Sequence, residues 1–234
     1  MLVDYDNVES AVKKLGPLHV AQTIATKIVA HDPSVSRIDL RYYGGWYERS
    51  TLTRSAQALS ATIQQSFPSH FVATNGGQRA MLNVELAYAL ISDPRQHLFN
   101  TYRERNPQES GVRSHHPNAA GCTGAATCGL RHLPQTLSAG CCPEAGCPVM
   151  SKQLLYKSEQ KLVDVMIACD LLHLISQSSA ELIGIATSDH DLWPAIRQAL
   201  SISSRVVHIQ TKQSRTTPPH YRSMVPQAYV ELTL

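Results

Sequence analysis

Acidic side chains occur in three short stretches of the sequence, and their spacing is typical of a site for a divalent cation. The residues concerned are Asp4, Asp6 and Asn7 in LVDYDNV, Lys161 and Asp164 in KLVDVM, and Ser188, Asp189 and Asp191 in IATSDHDLW. Carboxylates that are brought close together repel one another unless a cation neutralises them. Oxygen ligands suit Mg²⁺ or Mn²⁺. We therefore expect one of these cations if the fold brings the three stretches together, and such a cation commonly acts on phosphoryl groups.

Each stretch also has a simpler structural explanation. Asp4 and the residues after it are typical of an Asx-type turn at the end of a strand. Ser188 or Asp189 can cap the helix that follows, an interaction worth about 1 kcal/mol. Asp164 can form an ion pair with Lys161 on a helix surface, worth roughly a few tenths of a kcal/mol. Capping explains one acidic residue of the SDHD turn but not two, so the cation site remains the sharper hypothesis.

The predicted strands and helices decide whether these residues can meet. Short β-branched runs alternate with segments of helical periodicity, which is typical of βαβ units around a parallel sheet. The predicted order is strand LVD, helix 17–30, strand RIDLRYY, helix 50–65, strand HFVAT, a helical NVELAYALI, helix 158–176, strand LIGIATS, helix 191–200 and strand RVVHIQ. Sites on such sheets lie at the carboxyl ends of the strands. We expect an α/β fold with Asp4, Asp189 and Asp191 at that edge, and Asp170, on another helix face, as a weaker candidate.

Residues 94–152 differ in composition from the rest of the chain. They contain five of the six cysteines, and six Lys or Arg against three Asp or Glu, which equals the net charge of +3 of the whole chain. Thiolates in paired loops suit tetrahedral Zn²⁺, whereas disulfides or free thiols are the alternatives. The expected zinc ligands are Cys122, Cys128, Cys141 and Cys147, with Cys142 as the alternate. The predicted organisation is therefore one domain, 1–93 plus 153–234, interrupted by a Cys-rich, basic, zinc-binding module at 94–152.

At its acidic stretches the sequence resembles the NYN domains, a branch of the PIN-like nucleases that includes bacterial LabA-like proteins. The matching segments are LVDYDNV, KLVDVMIACDLL and IGIATSDHDLWPAIRQAL, and the resemblance covers roughly 1–93 and 153–210. It implies a three-layer PIN-like (Rossmannoid) fold around a mainly parallel sheet, and cleavage of RNA in an acidic Mg²⁺ pocket. The metal-binding, catalytic residues that it implies are Asp4, Asp164, Asp189 and Asp191, with Asp6, Asn7, Ser188 and Lys161 in support. The sequence departs from the family at Thr187 and Leu192 and in its large insertion.

Basic residues provide the predicted contacts to RNA. Arg41 and Arg49 alternate with aromatic residues in RYYGGWYER, a pattern that can bind phosphates and stack bases; a packed strand end explains it equally well. Arg103 and Arg105 lie in the basic insertion, where they can contact phosphates without reading sequence. A regulatory protein partner or a homo-oligomer is also compatible with this interpretation.

Two other functions fit the same acidic residues. Haloacid-dehalogenase-like phosphatases also begin with Asp-x-Asp, so that Asp4 would be a nucleophile and Asp6 a general acid, but this scheme leaves Asp164 without a role. The third function is an RNA-binding domain without catalysis. The longest apolar runs, ELIGIA and AYALI, are far shorter than the roughly 20 residues of a membrane-spanning helix. We therefore expect a cytoplasmic protein with no membrane partner.

Overall fold

The computed structural model describes residues 1–67, 70–73, 79–105, 133–177, 182–202, 205–222 and 229–234. The strands are β1 (Leu2–Asp4), β2 (Arg37–Tyr43), β3 (Tyr47–Glu48), β4 (Thr51–Leu52), β5 (His70–Ala73), β6 (Arg79–Leu86), β7 (Ala89–Leu90), β8 (Asp93–His97), β9 (Tyr102–Arg105), β10 (Lys157–Gln160), β11 (Ile183–Ala186), β12 (Val206–Gln210) and β13 (Tyr229–Thr233). The helices are α1 (Ser10–Lys13), α2 (Pro17–His31), α3 (Arg54–Ser66), α4 (Leu133–Ala139), α5 (Ser151–Leu154), α6 (Val163–Ser176), α7 (Trp193–Ser201) and α8 (Pro219–Arg222). A short 3-10 turn, His190–Leu192, precedes α7.

A seven-stranded sheet forms the centre of the fold, in the order β13-β12-β11-β1-β2-β6-β5. Neighbouring strands are parallel except for β5 and β6. In the middle strand, β1, Leu2 lies opposite Ile185 of β11 on one side and Arg41 of β2 on the other. On one side of β1 the sheet continues with β2, β6 and β5, and on the other side with β11, β12 and β13. The strand order therefore reverses beside β1, and α/β proteins bind ligands at such points.

Helices cover both faces of this sheet, because successive side chains of a strand point to opposite sides. Val3 and Leu40 pack in one apolar cluster with residues of α2 and α3. Leu2, Ile185 and Val206 pack in a second cluster with residues of α6 and α7. The predicted mixed α/β fold with a mainly parallel central sheet is thus confirmed.

Local sequence explains where the first long helices begin and which face they bury. α2 begins at Pro17, whose fixed φ suits the first turn of a helix. The Thr53 hydroxyl caps α3 by accepting a hydrogen bond from the Ala56 N–H at 3.2 Å. Within α3, Ala56, Leu59 and Ile63 recur at intervals of three or four residues and are buried. α2 begins at the predicted residue, whereas α3 begins four residues after the predicted position 50, because Thr51–Leu52 form β4.

The segment NVELAYALI is not helical, so this prediction is wrong. Its first four residues belong to β6, where the buried Val84 and Leu86 alternate with the exposed Glu85. This alternation has the period of a strand, and β6 pairs with β2 along its length from Met81 to Leu86. Tertiary pairing therefore outweighs the helical propensity of Glu, Leu and Ala in this short segment.

Two further elements differ from the prediction near the end of the chain. The helix predicted at 158–176 begins only at Val163, because Lys157–Gln160 form β10. The strand β13 has no predicted counterpart, although it pairs with β12 over all five residues. The sequence of β13 is short and partly exposed, so its hydrophobic pattern alone does not identify it.

The chain divides into two compact units, each described here by itself. The first comprises Met1–Tyr102 and Gln160–Leu234 and contains the seven-stranded sheet; the second comprises Arg103–Glu159. Composition alone places the insertion at 94–152. The second unit contains most of β9 and of β10, which are hydrogen-bonded neighbours, and its helices α4 and α5 precede and follow a cysteine-containing turn. Across the described ranges, no helix is both long enough and apolar enough to cross a membrane.

Candidate functional site

Asp4 and the turn after β11 meet at the carboxyl edge of the sheet. β1 ends at Asp4 and β11 ends at Ala186, and these parallel neighbours place Val3 opposite Ala186. The residues that follow β11, beginning with Thr187, therefore lie beside Asp4. Asp164 comes from the first turn of α6, which packs against both strands. The name acidic centre is used below for Asp4, Asp164, Asp189 and Asp191.

Asp4 is the buried member of the acidic centre, with 4% of its surface exposed. Its Oδ2 accepts a hydrogen bond from the Thr187 hydroxyl at 3.0 Å, and its Oδ1 accepts one from the Asn7 N–H at 3.2 Å. Burial, together with the charge of Asp164, raises the pKa of Asp4 to about 6, although these two hydrogen bonds and one from the Asn7 side chain favour the ionised form. The largest charge interaction of Asp4 is thus with another carboxylate, that of Asp164.

The other three carboxylates of the acidic centre are more accessible. Asp164 and Asp191 are exposed, and Asp189 is half-buried. Partial burial and the charges of Asp189 and Asp191 raise the pKa of Asp164. Asp189 Oδ1 accepts a hydrogen bond from the Asp191 N–H at 3.0 Å and so caps the 3-10 turn. Asp189 thus has the capping role expected of a structural residue, and its charge also acts on Asp164.

The donor chemistry of the acidic centre fits Mg²⁺ or Mn²⁺, because it offers oxygen ligands whose charges repel one another. The side chains approach without converging: within the described ranges, no three Asp, Glu, His or Cys side chains are placed to hold a single ion. Binding would require the exposed Asp164 and Asp191 to turn toward the buried Asp4. The Oδ1 of Asn7 is also buried and has no hydrogen-bond partner in the described part of the chain, so it offers a further oxygen.

Asp6 contacts the loop after β2. Its Oδ2 accepts a hydrogen bond from the Gly45 N–H at 2.7 Å, and the Gln160 side chain provides another. Burial raises the pKa of Asp6, an effect that Gly45, Lys13 and Gln160 oppose. A Cβ atom on Gly44 would lie 2.7 Å from Asp6 Oδ2, so this close approach requires glycine at position 44. Asp6 therefore holds the loop after β1 against the loop after β2.

Sequence reasoning misses the buried polar residues behind Thr187. Thr187 O lies 2.9 Å from His208 Nε2, and His208 Nδ1 lies 2.7 Å from the Tyr229 hydroxyl. A carbonyl oxygen can only accept, so Nε2 carries the proton and Nδ1 of the neutral ring accepts from Tyr229. Burial lowers the pKa of His208, which favours this neutral form. The available signal is His208 itself, a polar residue in the apolar strand VVHIQ, since buried polar groups require partners.

Ser188 and Lys161, the other predicted supporting residues, have contacts of their own. Ser188 is buried, and its Oγ accepts a hydrogen bond from the Lys212 N–H at 3.0 Å and lies 3.3 Å from the Thr211 hydroxyl. Lys161 is half-buried, and its N–H donates to Thr101 O at 3.0 Å. Ser188 therefore connects the turn after β11 to the turn after β12.

Arg41 lies in a cluster with Asp170, Tyr43 and Glu85, which we call the Asp170 cluster. The Arg41 side chain is 14% exposed, its Nε lies 3.4 Å from Asp170 Oδ2, and its Nη1 pairs with Glu85. Asp170 is fully buried and also accepts hydrogen bonds from the Tyr43 hydroxyl at 2.5 Å and from the Ile91 N–H at 2.8 Å. The positive charge of Arg41 is thus compensated within the protein. This geometry favours the packed strand end over the phosphate contact.

The other three arginines predicted to contact RNA have different surroundings. Arg49 is exposed and has a left-handed backbone, with φ of 54°. In the second unit, the Nε atoms of Arg103 and Arg105 lie 2.9 and 2.5 Å from the same oxygen of Glu159. Two cations that share one carboxylate leave an excess of positive charge. Contact between these arginines and RNA stays a prediction.

The predicted zinc ligands Cys122 and Cys128 lie outside the described residues. Within the described ranges, the remaining cysteines of the second unit have free thiols. Glu144–Cys147 form a tight turn, in which the Cys147 N–H donates to Glu144 O at 3.1 Å, and Cys142 lies shortly before it. The Glu144 N–H favours the Cys142 thiolate, but a hydrogen bond with Cys147, burial and nearby negative charge together raise the pKa of Cys142. The hydrogen bond pairs Cys142, the alternate ligand, with Cys147, and zinc binding stays a prediction.

Three features of the first unit define the candidate site. It has a buried carboxyl group whose largest charge interaction is with another carboxylate, accessible carboxylates beside it, and a location where the strand order reverses. A perturbed titratable group in such a location is typical of a functional site. Comparison with known proteins identifies no relative: no family model, no curated protein and no solved structure matches the chain.

Proposed function

We propose that this chain is a metal-dependent nuclease, an endoribonuclease that hydrolyses RNA phosphodiester bonds at the acidic centre. The observation that carries the proposal is Asp4, a buried carboxyl group whose largest charge interaction is with another carboxylate, Asp164. Burying such a group opposes folding unless its charge is compensated. A divalent cation bound at the edge of the sheet would provide that compensation.

In the proposed site, the carboxylates of the acidic centre would hold the cation, and neighbouring residues keep them aligned. Mg²⁺ or Mn²⁺ supplies Lewis-acid activation of a phosphoryl group and of water. Asp4, Asp164, Asp189 and Asp191 are the residues that would hold it. The Thr187 hydroxyl donates to Asp4 and accepts from the Asp189 N–H at 3.0 Å, so one side chain fixes both segments. His208 in turn fixes the Thr187 backbone through its carbonyl oxygen.

Two observations support RNA as the substrate. The stretches LVDYDNV, KLVDVMIACDLL and IGIATSDHDLWPAIRQAL resemble those of NYN domains, for which RNA cleavage is the implied activity. Asp164 and Asp191 are exposed, so the acidic centre is open on the solvent side and accessible to a polymer. The basic residues of 94–152 would add phosphate contacts that increase affinity without specifying sequence.

The direct test is incubation of the purified protein with labelled RNA, labelled DNA or a phosphomonoester, each with Mg²⁺, Mn²⁺ or EDTA. We expect RNA cleavage with either metal and none with EDTA. Asp189→Asn should abolish cleavage, because it keeps the size of the side chain and removes its charge. Asp93→Asn is the matched control, since Asp93 is exposed in β8 and outside the acidic centre. Full activity of the Asp189 variant would contradict the proposal.

The same experiment separates the proposal from the phosphatase and from a purely RNA-binding protein. Asp164→Asn should abolish RNA cleavage, whereas a haloacid-dehalogenase-like phosphatase has no use for Asp164. Hydrolysis of the phosphomonoester with an acyl-phosphate trapped on Asp4 would establish the phosphatase instead. Metal-independent RNA binding without cleavage under any condition would establish the non-catalytic function.

A further inference from the structure

A cleft beside the acidic centre has a composition that the proposed hydrolysis does not explain. The cleft has a volume of about 410 Å³ and lies between α1 and the turn after β12. Its polar lining consists of Asp6, Glu9, Ser10, Lys13, Lys212 and Ser214. The chain connects it closely to the acidic centre, because Asp6 follows Asp4 by two residues and the Lys212 N–H donates to Ser188 Oγ at 3.0 Å.

The two lysines bring positive charge to the border of an acidic site. Lys13 Nζ donates a hydrogen bond to the backbone oxygen of Asp6 at 2.8 Å, which holds the ammonium group in place and leaves two of its three donors for other partners. Lys212 is half-buried and, among the described residues, its ammonium group forms no ion pair. A strand whose scissile phosphate lies at the acidic centre must place its neighbouring phosphates nearby, and lysine ammonium groups bind phosphates.

The other polar groups of the cleft do not suit a phosphate alone. The Glu9 carboxylate repels anions, but it can accept a hydrogen bond from a hydroxyl group. Within the described ranges the Glu9 side chain has no hydrogen bond, although the Glu9 backbone oxygen accepts from the Lys13 N–H at 3.0 Å. A ribose-phosphate unit presents both an anion and a 2′-hydroxyl donor, and the 2′-hydroxyl distinguishes RNA from DNA.

We propose that this cleft is a subsite for the ribose-phosphate unit next to the scissile phosphate, with Lys13 and Lys212 on the phosphate and Glu9 on the 2′-hydroxyl. The inference rests on the proposed nuclease function and specifies how that function would select RNA. Lys13 also has a purely structural explanation, which is support of the loop after β1 through Asp6 O. The two explanations make different predictions. If Lys13 is only structural, substitution of Lys212 or Glu9 should not change RNA binding.

The test measures binding of a fluorescent single-stranded RNA, and of DNA of the same sequence, in EDTA over a series of salt concentrations. Lys13→Gln and Lys212→Gln should each weaken RNA binding by roughly three- to tenfold and lower the salt slope by about one. Lys14→Gln is the matched control, because Lys14 removes the same charge from the adjacent, exposed position outside the cleft. Glu9→Ala should weaken RNA binding and leave DNA binding unchanged.

Several outcomes would overturn the subsite. Lysine variants that bind RNA no worse than Lys14→Gln would do so, as would equal effects of Glu9→Ala on RNA and DNA. Loss of binding with Lys13→Gln alone, together with a lower melting temperature, would indicate the structural explanation. RNA cleavage by the unmodified protein without lysine dependence would leave the nuclease proposal standing and remove the subsite. Lysine-dependent RNA binding without cleavage would remove the nuclease proposal and leave the cleft as an RNA-binding site.

Discussion

Asp4 and Asp170 are both buried aspartates, but they differ in the groups that surround their negative charge. Asp170 is fully buried, with Arg41 at 3.4 Å, the Tyr43 hydroxyl at 2.5 Å and the Ile91 N–H at 2.8 Å around its two oxygens. Asp4 is nearly as buried, but its hydrogen-bond partners, the Thr187 hydroxyl and the backbone and side chain of Asn7, are uncharged. Asp170 therefore has a positively charged partner, whereas the largest charge interaction of Asp4 is with another carboxylate.

Under the proposed function, this difference separates a structural carboxylate, Asp170, from a cation-binding one, Asp4. At Asp170 the neighbouring charge is a guanidinium group of opposite sign. At Asp4 the neighbouring charge belongs to Asp164 and has the same sign, so it adds to burial in raising the pKa of Asp4. Under the proposed function, an external cation supplies the charge that compensates Asp4. Mutations at the two aspartates should therefore have opposite effects on folding.

The largest expected effect is the loss of catalysis on substitution of Asp4. Asp4→Asn should lower metal-dependent RNA cleavage by at least about 1000-fold, because the loss of a charged metal ligand removes several kcal/mol of transition-state stabilisation. The measurement is single-turnover cleavage at saturating metal, with Asp93→Asn as the control. Retention of activity within tenfold of the unmodified protein would contradict the assigned role of Asp4.

Substitution of Asp170 should instead lower the stability of the protein. Asp170→Ala leaves Arg41 and the Tyr43 hydroxyl without their buried partner and should lower the free energy of unfolding by about 3–5 kcal/mol. Denaturant unfolding measures this difference. Asp39→Ala is the control: Asp39 pairs with Arg37 at 2.8 Å on the surface, where both side chains are more than half exposed, and we expect a loss within about 1 kcal/mol. Equal losses in the two variants would remove the distinction between the sites.

The pH dependence of stability should reveal the buried negative charge of Asp4. Because folding raises the pKa of Asp4 from 3.8 to about 6, the folded state binds this proton more tightly than the unfolded state. The resulting stabilisation is fully present below pH 3.8 and is lost as the pH rises through about 6, a change of about 3 kcal/mol. Asp4→Asn should not show this loss, so the two unfolding curves should diverge between about pH 4 and pH 7.

Divalent cations provide the control for this titration. Mg²⁺ should restore stability to the unmodified protein above about pH 6, where Asp4 is ionised, and should have little effect on Asp4→Asn. Parallel stability curves for the two proteins, with or without Mg²⁺, would show that Asp4 carries no buried charge.

A smaller effect should follow from substitution of His208 and Tyr229, which hold the backbone of Thr187 in place. His208→Ala removes the donor to Thr187 O and should lower cleavage by about 10- to 100-fold while raising the metal concentration for half-maximal activity. Tyr229→Phe should have a weaker effect, because the His208 bond to Thr187 remains. An unchanged metal requirement in both variants would show that His208 supports only the fold, and melting temperatures would confirm that role.

The smallest effect on cleavage is expected from the cysteine turn of the second unit, which contributes no carboxylate to the acidic centre. Cys142→Ser and Cys147→Ser should release zinc, measured by elemental analysis, and leave cleavage of a short RNA little changed. Cys169→Ser is the control, since Cys169 is an exposed residue of α6 in the first unit. Absence of zinc from the unmodified protein would remove the zinc prediction without affecting the acidic centre.

The sequence by itself determined those elements whose signals are local. β1, α2, β2, α3 and β12 lie where hydrophobic periodicity and helix-start residues predict them. The same holds for the candidate carboxylates: Asp4 follows a strand, and Asp189 and Asp191 follow another. Because parallel strands end at one edge of a sheet, their meeting could be predicted from their positions in the chain.

Tertiary structure alone decided which buried charge is balanced. Arg41 and Asp170 are separated by more than a hundred residues, so nothing in either segment shows that they form a pair. For the same reason Arg41 was open to interpretation as a phosphate ligand, and β6 as a helix. His208 reaches Thr187 only because β12 lies beside β11 in the sheet. Local patterns fix elements and candidate residues, but compensation of charge depends on partners that the fold brings from distant segments.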